Sequence, residues 1–478
     1  MCNMGISRRF GAGMSAKTLT SALLAVLLGL NLAGASATPP EGATPQGTER
    51  QKQVVQHLFD FLDQKEGALE AFEAEWEMSL APMVVETLRF FAPRQELLFD
   101  DETPAGKLWD LLERKTGRDV DRDLYPMMEW LWEQDFEMHP FYPAFKAEIH
   151  APIDERFHWW FYPGMKHTIR LDEIVWGGVK VDGIPPLEHP RFIEAGEAAY
   201  LEGTDVIFGV YLNGEAKAYP KRILAWHELF NDTVGGMEVT CAYCTLCGSA
   251  VLYDQRIGKR QFDFGTSGFL FRSNKLMYDR QTRSLWSALE GVPVTGKLVG
   301  SELKLKRLPI VTTTWSAWRK SHPRTKVLSL ETGHRRDYGE GVAYRAYFAT
   351  QELMFPVRYR DQRLSNKQEV VALLLEGEAV AYDTDFLGEN PLHQDRVGKQ
   401  AIVILTDRSG ANRVYDATGV TFTRWNRNAR LTDSRRRSWK VSEEALTNKA
   451  GEKRLRLPAH RAFWFGWHNQ FPDSRLVR

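Results

Sequence analysis

Cysteine is scarce in this chain: four residues in 478, at Cys2, Cys241, Cys244 and Cys247. A small secreted domain stapled by disulfides carries an even, dispersed set, so three clustered thiols read as a site and not a scaffold. A surplus charge of either sign is also lacking. Lys+Arg and Asp+Glu number 62 each, which argues against a nucleic-acid binder, since those carry a basic excess. The run Arg435-Arg436-Arg437 reads as a solvated loop. Beyond the N-terminus no apolar run approaches the ~20 residues of a membrane span. Gly-x-Gly-x-x-Gly, Gly-x-x-x-x-Gly-Lys-Ser/Thr, His-Glu-x-x-His and Gly-x-Ser-x-Gly are all absent. Nucleotide binding, zincin proteolysis and α/β-hydrolase chemistry lose support, and no nucleotide cofactor is expected.

What is present begins with an export signal. Arg8, Arg9 and Lys17 precede the uncharged stretch LTSALLAVLLGLNL, and Ala35-Ser36-Ala37 forms a small-x-small cleavage site. Residues 1–37 are therefore expected to be a signal peptide, and 38–50, rich in Pro and Gly, a linker. The competing reading is a retained anchor, for which the apolar core is short. The mature protein is placed outside the cytoplasm, periplasmic or secreted, with no transmembrane segment after cleavage.

What remains is too long for one compact core, so two or three domains are expected. Residues 51–150 read as a helical domain. Val54/Val55, Leu58/Phe59 and Phe61/Leu62 recur at helical spacing, as do Val84, Leu88 and Phe91, then Leu108, Leu111 and Leu112, then Met127, Trp130 and Leu131. From about residue 170 short apolar runs alternate with Gly, Pro, Asn and Asp, the texture of strands and turns. The fold class expected is α+β, a helical domain followed by a β-rich unit.

That unit reads as two related halves, residues 171–330 and 365–478, joined by a connector, 331–364. LNGEAKAY at Leu212–Tyr219 is echoed by LEGEAVAY at Leu375–Tyr382, six of eight positions being identical. Trp315-x-x-Trp318 with Pro323, Thr325 and Val327 is echoed by Trp464-x-x-Trp467 with Pro472, Ser474 and Leu476. Ser267-Gly268-x-x-Phe271 is matched to Thr418-Gly419-x-x-Phe422, and Asp279 and Trp286 to Asp433 and Trp439. Two echoes in the same order point to internal duplication. The second half has no cysteine.

Chemistry concentrates at Cys241-Ala-Tyr243-Cys244-Thr-Leu-Cys247-Gly248. Thiols three residues apart can chelate a metal or close a disulfide. The leading reading is a transition-metal site for copper, zinc or iron, with Cys241, Cys244 and Cys247 as thiolates and His227 as imidazole ligand. Glu228 or Asp232 would then orient the imidazole from behind, beside Trp226. A cycling dithiol and a structural disulfide are the alternatives. Ser267, Asp279 and Trp286 are further candidates for a polar wall, although Asp, Thr and Ser at these spacings ordinarily fix turns.

The stretches GGVKVDGIPPLEHPRFI, NGEAKAYPKRILAWHELFNDTVGG, CAYCTLCGSAVLYD, FGTSGFLFRSNKLMYDRQTRSLWS and TTTWSAWRKSHPRTKVLS together resemble the bacterial family catalogued as domain of unknown function 3179. The resemblance is strong over residues 170–350 and weaker to the C-terminus. It implies an exported protein with a Tyr-Cys-x-x-Cys-Gly motif, here Tyr243, Cys244, Cys247 and Gly248, and it brings no reaction. The family often has Pro where this chain has Thr245, and Cys241 is additional to the usual pair. Three functions stay open: a metal-binding protein, a thiol–disulfide oxidoreductase, and a non-catalytic envelope scaffold whose helical domain binds a protein partner.

Overall fold

The computed structural model describes residues 47–93 and 95–478. The expected signal peptide and most of the linker lie outside the described residues. These divide into two compact units. One holds the described residues up to Ile174 together with Thr295–Val299; the other holds Val175–Val294 and Gly300–Arg478. Among the described residues no helix is long and apolar enough to cross a membrane.

The first unit is helical: α1 (Glu49–Leu62), α2 (Ala68–Ala74), α3 (Ala81–Phe91), α4 (Pro104–Thr116), α5 (Leu124–Glu133) and α6 (Tyr142–His150). Its ends follow local chemistry. Thr48 and Gln51 form a reciprocal capping box on α1. Thr103 caps α4 ahead of Pro104, and Gly117 closes it at φ 65°. Leu58, Val84, Leu88, Leu108, Leu111 and Met127 are fully buried. Phe61, Phe91 and Trp130, read from sequence as inner-face residues, are only half-buried. They lie at the margin of their apolar stripes.

In the second unit, β1 (Val206–Leu212) and β2 (Glu215–Pro220) form a hairpin through Asn213 and Gly214, at φ 48° and 88°. These are the two positive angles a tight turn demands. After α7 (Lys221–His227) come two antiparallel meanders. The first is β3 (Leu229–Val234), β4 (Met237–Cys244) and β5 (Ser249–Asp254). The second is β6 (Phe264–Phe271), β7 (Asn274–Asp279) and β8 (Leu285–Ser287). The chain returns through β9 (Arg307–Leu308), beside β5, and β10 (Val311–Thr314), beside β1. Then α8 (Trp315–Ser321) leads to β11 (Lys326–Leu328), parallel to β2.

The connector carries the short helix α9 (Arg345–Phe348). Beyond it, β12 (Glu369–Leu375) and β13 (Glu378–Asp383) turn at Glu376 and Gly377, at φ 51° and 85°. Helix α10 (Thr384–Glu389) precedes β14 (Leu392–Val397), β15 (Gln400–Thr406) and β16 (Asn412–Asp416). Next come β17 (Phe422–Trp425), β18 (Arg430–Asp433), β19 (Ser438–Val441) and β20 (Ala445–Asn448). β21 (Lys453–Leu457) pairs with β16 and β22 (His460–Phe463) with β12. Then α11 (Trp464–Gln470) leads to β23 (Arg475–Val477), parallel to β13. Here the two meanders fuse into one eight-stranded sheet. Gln394 on one edge strand exchanges hydrogen bonds with the Phe422 backbone on the other, curling the sheet into a near-barrel.

Three side-chain contacts recur at matching places in both halves. Tyr219 donates to Asp232 at 2.5 Å, as Tyr382 does to Asp395 at 2.7 Å. The Asn231 amide bonds both backbone groups of Phe264, as Gln394 bonds those of Phe422. The Trp286 indole donates to Asp279 at 2.9 Å, as that of Trp439 does to Asp433 at 3.0 Å. Phe264 pairs with Asp279 as Phe422 pairs with Asp433, whereas the sequence echo sets Phe271 beside Phe422. A register shift between Thr266 and Leu270 in β6 displaces the local spacing that had favoured Phe271.

Candidate functional site

The Cys-x-x-Cys-Gly segment is a hairpin loop. Cys244 ends β4 opposite Ser249 at the start of β5, and Thr245 to Gly248 make the turn. Gly248 sits at φ 60°, and a Cβ there would stand 3.1 Å from the Phe463 ring. Glycine alone meets both constraints. The curl turns Cys247 back toward Cys244, and both thiols reach one acceptor. The Ser273 carbonyl oxygen lies 3.8 Å from the Cys244 Sγ and 3.1 Å from the Cys247 Sγ. Ser273 occupies the two-residue turn between β6 and β7, where Arg272 and Ser273 take φ of 48° and 63°. Left-handed angles at non-glycine residues cost on the order of 1–2 kcal/mol each, so a strained turn presents this carbonyl. Cys241, Cys244 and Cys247 are all free thiols.

Burial opposes a thiolate at Cys244. The Cys247 thiol and the backbone N–H groups of Cys247 and Lys275 outweigh it and hold Cys244 below the ordinary thiol value. Cys247, buried and facing the Cys244 sulfur, is pushed well up. The pair is thus split into a more acidic and a less acidic thiol. Glu228 raises both, but its carboxylate is neutralised locally. Lys275 Nζ donates to the Glu228 carbonyl at 3.0 Å and pairs with its carboxylate at 3.3 Å, and Tyr344 Oη donates to Oε1 at 3.2 Å.

The pair is covered from two directions. Tyr347, Val357 and the half-buried Tyr344, Phe348, Leu353 and Phe355 of the connector pack on it. Tyr347 Oη donates to the Leu246 carbonyl at 2.8 Å, and Ser273 Oγ to the Pro356 carbonyl at 3.0 Å. From the Cys-free half, Phe463 N–H donates to the Cys247 carbonyl at 2.7 Å, with Phe465 alongside. Cys244 and Cys247 are left 2% and 1% exposed.

The other residues singled out in the sequence go elsewhere. Cys241 and Cys244 are three apart on one strand, so they face opposite sides of the sheet. Cys241 lies in the core beside Tyr219 and Phe230, where burial pushes its thiol up. His227 has both ring nitrogens engaged, with the Pro185 carbonyl at 2.8 Å and Tyr338 Oη at 2.6 Å. Burial pulls it down to about 4. Trp226 donates to the Asp337 carbonyl. Asp232 accepts from Lys217 and Tyr219. Ser267 bonds the Leu276 carbonyl at the β6 irregularity. Asp279 gathers the Thr282 and Ser284 N–H groups and the Trp286 indole, so it fixes a turn. Tyr243 packs against Phe208, with ring centroids 4.9 Å apart. Among the described residues no three His, Cys, Asp or Glu side chains come together as a metal-holding group.

The family model described as "Protein of unknown function (DUF3179)" matches residues 181–474, taking in most of both halves and the whole connector. The chain belongs to that family. No curated protein and no solved structure matches it. Within the DUF3179 region, the Thr245 hydroxyl is buried without a partner, at the place where the resemblance leads one to expect Pro. Ser273, Lys275, Tyr344, Tyr347 and Phe463 were not foreseen as site residues. Ser273 and Lys275 do stand inside the stretch FRSNKLMYD, but nothing local marks the connector tyrosines or Phe463, which reach the thiols from far along the chain.

Proposed function

We propose that this chain is an exported thiol–disulfide oxidoreductase whose working pair is Cys244 and Cys247. The observation that carries the reading is the convergence of these two thiols on the Ser273 carbonyl, with Cys241 across the sheet and the nitrogens of His227 already engaged. The split acidity gives the roles. The Cys244 thiolate attacks one sulfur of a substrate disulfide, and the other sulfur leaves as a thiolate that takes up a proton. The Cys247 thiol then loses its proton and attacks the mixed disulfide. The Cys244–Cys247 disulfide forms, and the second substrate thiol is released. Two electrons and two protons pass to the substrate. The Cys-free half supplies part of the wall, and the recurring contacts of the two halves support descent from a duplicated unit.

The donor set is two thiols. It fits a two-coordinate soft cation such as cuprous copper, but not a tetrahedral site completed by His227 in this arrangement.

The test uses protein recovered from the exporting compartment without chelators. Redox titration with alkylation and mass measurement is expected to show a reversible two-electron couple at Cys244–Cys247, with a midpoint in the catalytic range of roughly −270 to −120 mV. A pair that stays oxidised or stays reduced across that range overturns the reading. Stoichiometric copper that disappears in Cys244→Ser would replace it with metal binding. Lost thermal stability without any redox couple would replace it with a structural role.

A further inference from the structure

A cavity of about 220 Å³ opens between the first strands of the two halves, bordered by Phe208, Lys221, Tyr243, Gly248, Thr312 and Glu369. It is smaller than the roughly 300–1,000 Å³ typical of drug-sized ligands. Its charges are unevenly matched. Arg461 is fully engaged, donating to Glu369 at 2.8 Å and to the Gly410 carbonyl and the Asn412 side chain. Glu340, the other carboxylate acting on Lys221, is paired with Arg222 at 3.0 Å. The Lys221 ammonium has no hydrogen bond or ion pair among the described residues. It rests over the Phe348 ring, 4.8 Å from its centroid.

A second polar group of the wall is also unmatched. The Tyr243 hydroxyl is buried with no hydrogen-bond partner, and a buried hydroxyl without one is costly. The remaining wall is mixed. Val206 and Phe208 are apolar, while Thr312, Thr314 and Ser409 bring hydroxyls. One unpaired cation, one unpaired phenol and an apolar side describe a small molecule with an anionic head and a short hydrocarbon part.

We propose that this cavity binds a small carboxylate carrying a short apolar tail, the carboxylate on Lys221 and the tail against Val206 and Phe208. The carboxylate oxygens accept from the ammonium and from the Tyr243 hydroxyl, which the ligand provides with its missing partner. Gly248 belongs to both the cavity wall and the thiol loop, so the bound molecule lies next to the Cys247 turn. The assignment is independent of any thiol chemistry, because it is read by binding alone.

The experiment compares butyrate with its neutral isostere butyramide, by ligand-observed nuclear magnetic resonance titration of the mature chain. Butyrate is expected to bind saturably and about tenfold or more tightly than butyramide, and Lys221→Met should erase the preference. Lys320→Met, which removes an exposed cation away from the cavity, should retain it. Equal binding of the two probes, no binding of either, or a preference that survives in Lys221→Met overturns the proposal. If Lys221→Met fails to fold, Lys221→Gln is read in the same way.

Discussion

A methyl group at Gly466 would stand 2.9 Å from the Cys247 sulfur. This glycine sits inside α11 of the Cys-free half, where alanine would ordinarily favour the helix by about 1 kcal/mol. Local propensity and tertiary packing thus oppose one another, and packing decides. Gly466→Ala is expected to destabilise the chain by about 1–3 kcal/mol, as overpacking does. It should also displace Cys247 and change the redox midpoint of the pair. Urea unfolding with unchanged stability would show that the two halves do not press on the thiol loop as described.

That contact also explains what could be read from the sequence. The Cys-x-x-Cys pair was legible because three-residue spacing followed by glycine marks a tight loop, and because the resemblance pointed to the same residues. The helical segment and the hairpins were legible from period and turn chemistry. That Cys241 faces away from the pair was not legible, because nearness in sequence carries no facing until the strand is known to run unbroken through Met237–Cys244. His227 looked like a ligand because its partners, Pro185 and Tyr338, lie 42 residues before it and 111 after it. The cover over the thiols was illegible for the same reason. Its residues belong partly to a connector with almost no regular structure and partly to the Cys-free half, and only the completed fold brings them to the loop.

Tyr347 is the tie between that connector and the thiol loop. The Tyr347→Ala variant removes a ring packed on the pair and the hydrogen bond to the Leu246 carbonyl. Its two buried thiols are expected to react with a maleimide about tenfold faster or more, since labelling here follows local opening. Tyr347→Phe retains the ring and should lie between that variant and the native chain. Equal labelling rates in all three would mean that the connector does not gate the thiols.

His460 lies buried with neither ring nitrogen bonded. Burial, with the Arg307 charge adding to it, brings it down to about 3. The folded value lies below the unfolded value of about 6.5, so the fold favours the neutral ring. This contribution is fully present above about pH 6.5 and is lost as the pH falls toward 3. The loss reaches about 1.4 kcal/mol per pH unit for one such group. His460→Leu is expected to leave neutral-pH stability unchanged or raised, and to reduce proton uptake on unfolding by about one between pH 6 and 4. His227 and His150, both near 4, preserve the rest of the acid slope. An unaltered slope in His460→Leu would show that the ring is not held neutral.

In the helical unit, Glu86 accepts from two buried neighbours and faces a third. Lys146 Nζ lies at 2.7 Å and Tyr142 Oη at 3.1 Å, and the His150 ring stands 3.3 Å from the carboxylate. Burial alone would raise this carboxyl. The charges of Lys146, His150 and Arg89 prevail and bring it down to about 2. Lys146 is fully buried, so neutralising its partner strands a cation in an apolar interior. Glu86→Gln should therefore cost about 3–5 kcal/mol. Replacing both members of the ion pair, with Glu86→Leu and Lys146→Met together, should cost clearly less than that single change, because no fully buried charge is left unmatched and Arg89, the remaining cation, is partly exposed. Thermal melts followed at the helical band of the circular dichroism spectrum separate the two cases. If the double variant is the less stable one, the network stabilises the helices through its hydrogen bonds and not merely by cancelling its own buried charge.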